Sequence, residues 1–270
     1  ATIAAPSDVS ITLPPAPSAV VTAIAASTFI HAGSSKVVDG VLQVTQTEGS
    51  QQGIASSPIS VGADDTFAIM FQMYIGADGY EGGMTLGADG MCVSLHNTLG
   101  GDLAALGGRV GEDGTAQGLA VCFDEYANSN HEHGFFIHYD GAEIFGDVSE
   151  CDGGWGNGNL VECAPVSLFV TPGTDAAIWH SVSVLVTPSA GGLARVDVAL
   201  DEVGYTATAS ITGYAAPTFV SFTGRTGGAI NDHFARNVAI AIDCRASLLE
   251  FGLGVGLQRR LRRKRRLHFY

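Results

Sequence analysis

Alternation with a period of two, broken at short intervals by glycine, constrains this chain more than any other feature. Phe67, Ile69, Phe71, Met73 and Ile75 take every second position of one run, and Val196, Val198 and Leu200 do the same in another. Successive side chains of an extended strand point to opposite faces, so such runs predict half-buried strands. Further strands are predicted at 91–95, 119–126, 135–139, 166–170, 181–187, 218–223 and 237–242, each bounded by Gly, Pro, Asn or Asp. The 36 glycines suit many tight turns, and a chain 46% hydrophobic and 15% charged has the material for a packed core. The expectation is an all-β sandwich of two packed antiparallel sheets, forming one domain. No repeat of fixed period marks a propeller or solenoid.

The domain is expected to span 28–243. Residues 1–27 are rich in Ala, Pro, Ser and Thr, with Pro14, Pro15 and Pro17 close together, and read as an extended linker. Residues 244–270 are weakly apolar and then basic, and read as a tail outside the sandwich. Seven of the 13 basic residues fall between Arg259 and Arg266, so residues 1–258 hold six basic residues against all 27 acidic ones. Such a body repels phosphates, which argues against nucleic acid and anionic membrane as partners. No apolar run is long enough for a membrane-spanning helix. Residue 1 is Ala, and the apolar run around Val20 to Ala26 has no basic flank. The chain therefore reads as a fragment or a mature product.

The five cysteines, Cys92, Cys122, Cys151, Cys163 and Cys244, have no metal-finger spacing. Cys151 and Cys163 bracket a glycine-rich loop that a disulfide would close, a constraint worth roughly 3 kcal/mol. Cys92 and Cys122 fall in two apolar strands, where they can pair across a sheet or remain buried thiols. Disulfides imply an oxidising, extracellular or secretory setting.

The segment from Leu119 to His133 is the richest in chemistry. Alternation buries Leu119, Val121 and Phe123, so Cys122 and Asp124 are expected on the opposite face as the strand runs out. If the loop curls, the Asp124 carboxylate, the Tyr126 main-chain carbonyl and the Asn128 side-chain oxygen converge on one hard cation. Calcium takes about six to eight oxygens, so water and another carboxylate must complete the shell. This is no EF-hand, because Ser129 stands at its sixth position and Phe135 at its twelfth.

Taken with this loop, four further stretches make the sequence resemble the L-type (legume-like) lectins of the concanavalin A-like group. They are Ala88-Asp89-Gly90 leading into Met-Cys-Val-Ser-Leu, then Leu106-Gly107-Gly108, Trp179-His180-Ser-Val-Ser-Val, and Phe222 through Gly228 to His233. The resemblance covers about residues 67–242 and implies a concanavalin A-like jelly roll. It further implies calcium-assisted binding of glycans or glycoproteins without catalysis. On that likeness, Asp89 accepts hydrogen bonds from two sugar hydroxyls, and Gly107 or Gly108 offers a main-chain N–H. Tyr126 presents its ring to the apolar face of a pyranose, and Asn128 serves both calcium and sugar. Asp124, Tyr126 and Asn128 hold the metal, with Glu132 standing in for a ligand that has no clean counterpart. Cys122 replaces the glutamate that holds a second, transition metal in legume members, so that second site is not expected.

Trp155, within the Cys151–Cys163 stretch, is either a sugar-stacking platform or a plug over a sheet edge. For Asp232 a turn role is favoured, because Asn-Asp is ordinary turn chemistry. Glycan-cleaving enzymes with a sandwich fold need two carboxylates roughly 5–9 Å apart across a cleft. Asp124 and Glu125 are adjacent and point oppositely on a strand, and Cys122 and Tyr126 fill the alternate places, so the hydrolase alternative loses its main pair. A laminin-G-like adhesion module that binds protein is the remaining alternative.

Overall fold

The alternating runs form strands because their apolar positions recur every second residue, and the strands assemble with their apolar faces turned towards one another. The computed structural model describes residues 20–76, 90–98, 115, 117–124, 134–147, 179–201, 205–227 and 230–242. Fifteen strands are found among them. They are β1 (Val20–Ala23), β2 (Ile30–Gly33), β3 (Lys36–Val38), β4 (Val41–Thr45), β5 (Gln52–Pro58), β6 (Phe67–Gly76), β7 (Gly90–His96) and β8 (Leu119–Asp124), then β9 (Gly134–Tyr139), β10 (Ala142–Asp147), β11 (His180–Ser189), β12 (Leu193–Leu200), β13 (Tyr205–Thr212), β14 (Phe219–Arg225) and β15 (Asp232–Ile242).

Among the described residues, one sheet has seven strands in the order β10-β9-β8-β7-β14-β5-β2. The other has eight, in the order β13-β12-β11-β6-β15-β4-β3 with β1 also on β15. Every described pairing is antiparallel. Asp-Gly turns close β3 to β4 and β9 to β10, with positive φ at Asp39, Gly40, Asp140 and Gly141. That is the backbone that suits the twist of a two-residue hairpin.

The core lies between the sheets. Phe67, Ile69, Phe71, Met73 and Ile75 of β6 meet Met91, Val93, Leu95, Leu119, Val121, Phe123, Val220 and Phe222. The Phe71 ring meets Phe222 edge-on with centroids 4.9 Å apart, and Phe29 adds a tilted contact to Phe222 at 6.0 Å. Val44 also binds the sheets closely, since a Cβ at Gly53 would lie 1.9 Å from its carbonyl oxygen.

Three expectations change. Val20–Ala23 lies in the stretch read as linker, yet it pairs with β15 from Val20↔Ile242 to Ala23↔Ala239, so the sandwich begins before residue 28. All four residues of β1 are exposed, which removes the alternation that would have marked a strand. β6 was expected to be half-buried, but it is buried on both faces. It runs between β11 and β15, and its outward Tyr74 packs beside Trp179 and Phe234. The strands β2 to β5 were not predicted, since runs such as Gly53-Ile-Ala-Ser-Ser-Pro58 carry little apolar patterning. The strand expected at 166–170, the Cys151–Cys163 pair and the 244–270 tail lie outside the described residues.

Part of the face of the seven-stranded sheet turned away from the core is polar and also buried. Ser221 Oγ lies 2.6 Å from both Ser56 Oγ and His96 Nε2, joining three neighbouring strands. His96 is 1% exposed, and its Nδ1 makes no hydrogen bond among the described residues. Desolvation lowers its pKa to about 4, and the nearby Thr98 backbone opposes the shift only in part.

Two outcomes are expected in denaturant unfolding. Phe222→Ala removes a ring that touches both sheets and lowers stability by about 3–5 kcal/mol. His96 titrates lower folded than unfolded, so its contribution is complete above about pH 6.5 and is lost as pH falls towards 4. The loss is about 3 kcal/mol. His96→Gln flattens that part of the pH profile.

Candidate functional site

Four strands of the seven-stranded sheet end together at one edge, and their register fixes which loop stems are neighbours. Gly90, the first residue of β7, pairs with Arg225 of β14 on one side and with Asp124 of β8 on the other. Asp124 in turn pairs with Gly134, the first residue of β9. The chain leaving Asp124 and the turn entering Gly90 are thus adjacent strand ends, about 5 Å apart across the ladder. Gly90 has φ +152°, a backbone state that residues with a Cβ rarely adopt, which accounts for glycine after Asp89.

Two residues inward, Cys92 and Cys122 face one another across the β7–β8 pair and are joined by a disulfide. Both are fully buried and cluster with Ala120 and Phe136 on the face away from the core. The expected orientation of Cys122 is therefore found, and so is the cross-strand pairing. The bond ties the strand that starts at Gly90 to the strand that ends at Asp124.

Thr226 and Gly227 follow β14 beside Gly90 and are braced by the 45–51 stretch. Thr226 N donates to the Gln51 carbonyl at 2.9 Å, Ser50 N to the Gly227 carbonyl at 3.0 Å, and Thr226 Oγ1 to the Glu48 carbonyl at 2.6 Å. Asp232 opens β15 opposite Gly76, and its Oδ1 accepts from Thr47 N at 3.0 Å and from Gln43 Nε2 at 3.1 Å, so its carboxylate ties β15 to the 43–47 stretch instead of serving the local turn expected of it.

The expected site residues fall differently. Asp89, Gly107, Gly108, Tyr126, Asn128, Glu132 and Trp155 lie outside the described residues, and for Asp124 only the backbone is described. The backbone brings the residue after Asp89 beside Asp124. Gly107 and Gly108 belong to the connection that leaves β7 at its far end, so reaching Gly90 requires that connection to fold back. Thr115 is fully buried, and its N–H reaches Ser94 Oγ at 3.2 Å over the face away from the core. Eleven residue steps from His96 to Gly107 can span about 36 Å, more than the roughly 20 Å of β7 that must be retraced. Among the described residues, no group of three or more His, Cys, Asp or Glu gathers as a metal centre.

The polar row of Ser56, Ser94, His96, Ser221 and Thr223 was not anticipated. Its signal lies in the sequence, because these residues alternate with Ala55, Val93, Leu95, Val220 and Phe222, which face the core. Severing the disulfide with Cys92→Ala and Cys122→Ala is expected to cost about 3–4 kcal/mol in chemical denaturation, since the bond closes a loop of 30 residues.

No family model and no curated protein matches this chain. Solved structures do. The exoplasmic/lumenal domain of VIP36, bound to Ca2+ and Man3GlcNAc, is 13% identical with a TM-score of 0.54 and covers 82% of this chain and 88% of its own. A lectin from Bauhinia forficata in complex with GalNAc is 14% identical with a TM-score of 0.54, covering 83% and 98%. Basic winged bean lectin with Tn-antigen is 13% identical with a TM-score of 0.55, again covering 83% and 98%. At such identities the likeness establishes architecture: this chain has the concanavalin A-like sandwich fold found in the L-type lectins.

Proposed function

We propose that this chain is a lectin domain that binds carbohydrate with the help of calcium and carries out no chemistry on it. The observation that carries the reading is the register that seats Gly90 directly beside Asp124. It makes the turn containing Asp89 and the loop beginning at Asp124 neighbours, as a shared site for metal and sugar needs. Had the two loops left opposite ends of the sheet, no such site would exist.

In this reading Asp124, the Tyr126 carbonyl, Asn128 and Glu132 hold the ion, all of them through hard oxygen donors suited to calcium. When bound, the ion supplies rigidity to the loop and so lowers the entropy cost of ordering it around a ligand. Asp89 accepts from two sugar hydroxyls, and a Gly107 or Gly108 N–H donates to the sugar. The Asn128 amide adds a donor, while Tyr126 and Trp155 offer ring faces to the C–H side of a pyranose. The braced Thr226 and Gly227 border the site next to Arg225. Among fold neighbours, VIP36 has been captured with calcium and mannose-containing glycans, and plant members with GalNAc or galactose.

The ligand class follows as glycans or glycoproteins, met in an extracellular or secretory setting. The buried Cys92–Cys122 disulfide supports that setting, since such bonds persist under oxidising conditions. No helix among the described residues is long and apolar enough to cross a membrane.

A glycan array read with and without chelator, followed by calorimetry, tests the proposal. Glycan binding is expected to vanish on chelation and to return with calcium. Asp124→Asn is expected to lower calcium affinity at least a hundredfold and remove sugar binding with it. Asp89→Ala removes sugar binding but leaves calcium affinity within about threefold. Glycan binding indifferent to chelator, or an Asp124→Asn protein with unchanged calcium affinity, overturns the metal assignment.

A further inference from the structure

At the edge of the seven-stranded sheet opposite Gly90 and Asp124, the ends of β7, β8 and β9 meet the 213–217 segment that follows β13. Between them lies an open cleft of about 210 Å³. Its apolar lining comes from Leu95, Leu119 and Pro217, and its polar groups are Asn97, Gln117, Asp140 and Tyr214. The five residue steps from Gly90 to Leu95 separate it from the calcium loop by about 17 Å of strand.

The polar groups are held in place while keeping hydrogen-bonding capacity to spare. Gln117 Oε1 accepts from Thr98 Oγ1 at 2.5 Å, which fixes the amide and leaves its Nε2 protons to give. Asp140 Oδ1 accepts from Gly118 N at 2.8 Å, leaving Oδ2 able to accept. Tyr139 donates its hydroxyl to the Gly213 carbonyl at 2.8 Å and so pins the far wall. The Tyr214 hydroxyl is buried and has no hydrogen-bond partner among the described residues. Desolvation, with help from neighbouring Tyr139 and Asp65, pushes its pKa up and keeps it a protonated donor. A buried hydroxyl left without a partner costs free energy that a ligand group can recover.

We propose that this cleft is a second saccharide subsite, independent of calcium, that takes one neutral pyranose ring. The chemistry selects that class. The acceptor on Asp140 and the donor on Gln117, both lining the cleft, complement sugar hydroxyls, each of which both gives and takes a hydrogen bond. The half-exposed side chains of Tyr139 and Tyr214, which line the cleft, offer a small apolar surface to the C–H face of the ring. The Asp140 carboxylate disfavours an anion, and the volume falls below the roughly 300–1,000 Å³ of sites for larger drug-sized ligands. Two subsites at opposite edges of one sheet let a branched glycan, or two glycans, engage one domain, and linkage of that kind raises avidity without new contacts. The inference stands apart from the calcium loop and fails or survives separately from it.

Saturation-transfer NMR with the methyl glycosides of mannose, glucose and galactose tests it on the Asp124→Asn protein in excess EDTA, where the calcium site is silenced. At least one glycoside is expected to show transfer under these conditions. Gln117→Leu and Asp140→Asn, the latter keeping the turn and its Gly118 contact, are each expected to weaken that glycoside at least tenfold while thermal unfolding confirms the fold. Tyr214→Phe reads the hydroxyl alone and is expected to weaken it about threefold or more. Absence of transfer from all three glycosides in EDTA overturns the proposal, as does affinity unchanged in both Gln117→Leu and Asp140→Asn. Loss of chelator-sensitive binding alone bears on the calcium loop and leaves this subsite standing.

Discussion

The contact between Phe71 and Phe222 sets the terms for the rest of the molecule. One ring belongs to the central strand of the eight-stranded sheet and the other to the middle of the seven-stranded sheet, so their edge-on packing locks the two layers together. A slip of one residue in either strand would turn its apolar set outward, at a cost summed over every ring and branched side chain on that face. Register is therefore fixed by burial, and the position of each loop stem follows from register. The meeting of Gly90 and Asp124 is a consequence of core packing before it is a property of either loop.

Where the polar row lies, both faces of the seven-stranded sheet are buried, and they are built differently. The face towards the core is aliphatic and aromatic, whereas the other carries Ser56, Ser94, His96, Ser221 and Thr223 beside the Cys92–Cys122 bond. Hydrogen bonds along the Ser56–Ser221–His96 row offset the desolvation of those groups only in part, since Thr223 Oγ1 and His96 Nδ1 make none among the described residues. A covalent tie between β7 and β8 at that place holds the strands that feed the candidate site while the surface around them is polar. The arrangement gives up some stability from burial, and the disulfide returns an amount of the same order.

Much of the architecture was legible in the residues. Strands β6 to β9, β11, β12 and β14 follow from alternation, and most of β15 was anticipated as well. Asp-Gly dipeptides account for two hairpins that the pattern alone did not mark. Strands whose two faces are alike were harder. β1 is exposed along its length, and β5 is built from Gly, Ala and Ser, so neither carries the contrast between faces that alternation needs. For the candidate site, the residue types were readable around Asp89 and Asp124, but a list of oxygen donors along a chain has no distances in it. The cleft at the opposite edge was invisible for the same reason, because Gln117, Asp140 and Tyr214 come from three separate connections.

What the sequence determined by itself is the class of structure: period-two burial admits strands, turn residues cut them short, and the apolar content suffices to press two sheets together. It also narrowed the partners, since an acidic body repels phosphates. Tertiary structure alone decided which cysteines pair, which of the sheet's two faces is polar, and which loops share an edge. Those are questions about residues far apart in the chain, and their answers depend on the single register that buries every large side chain of both sheets at once.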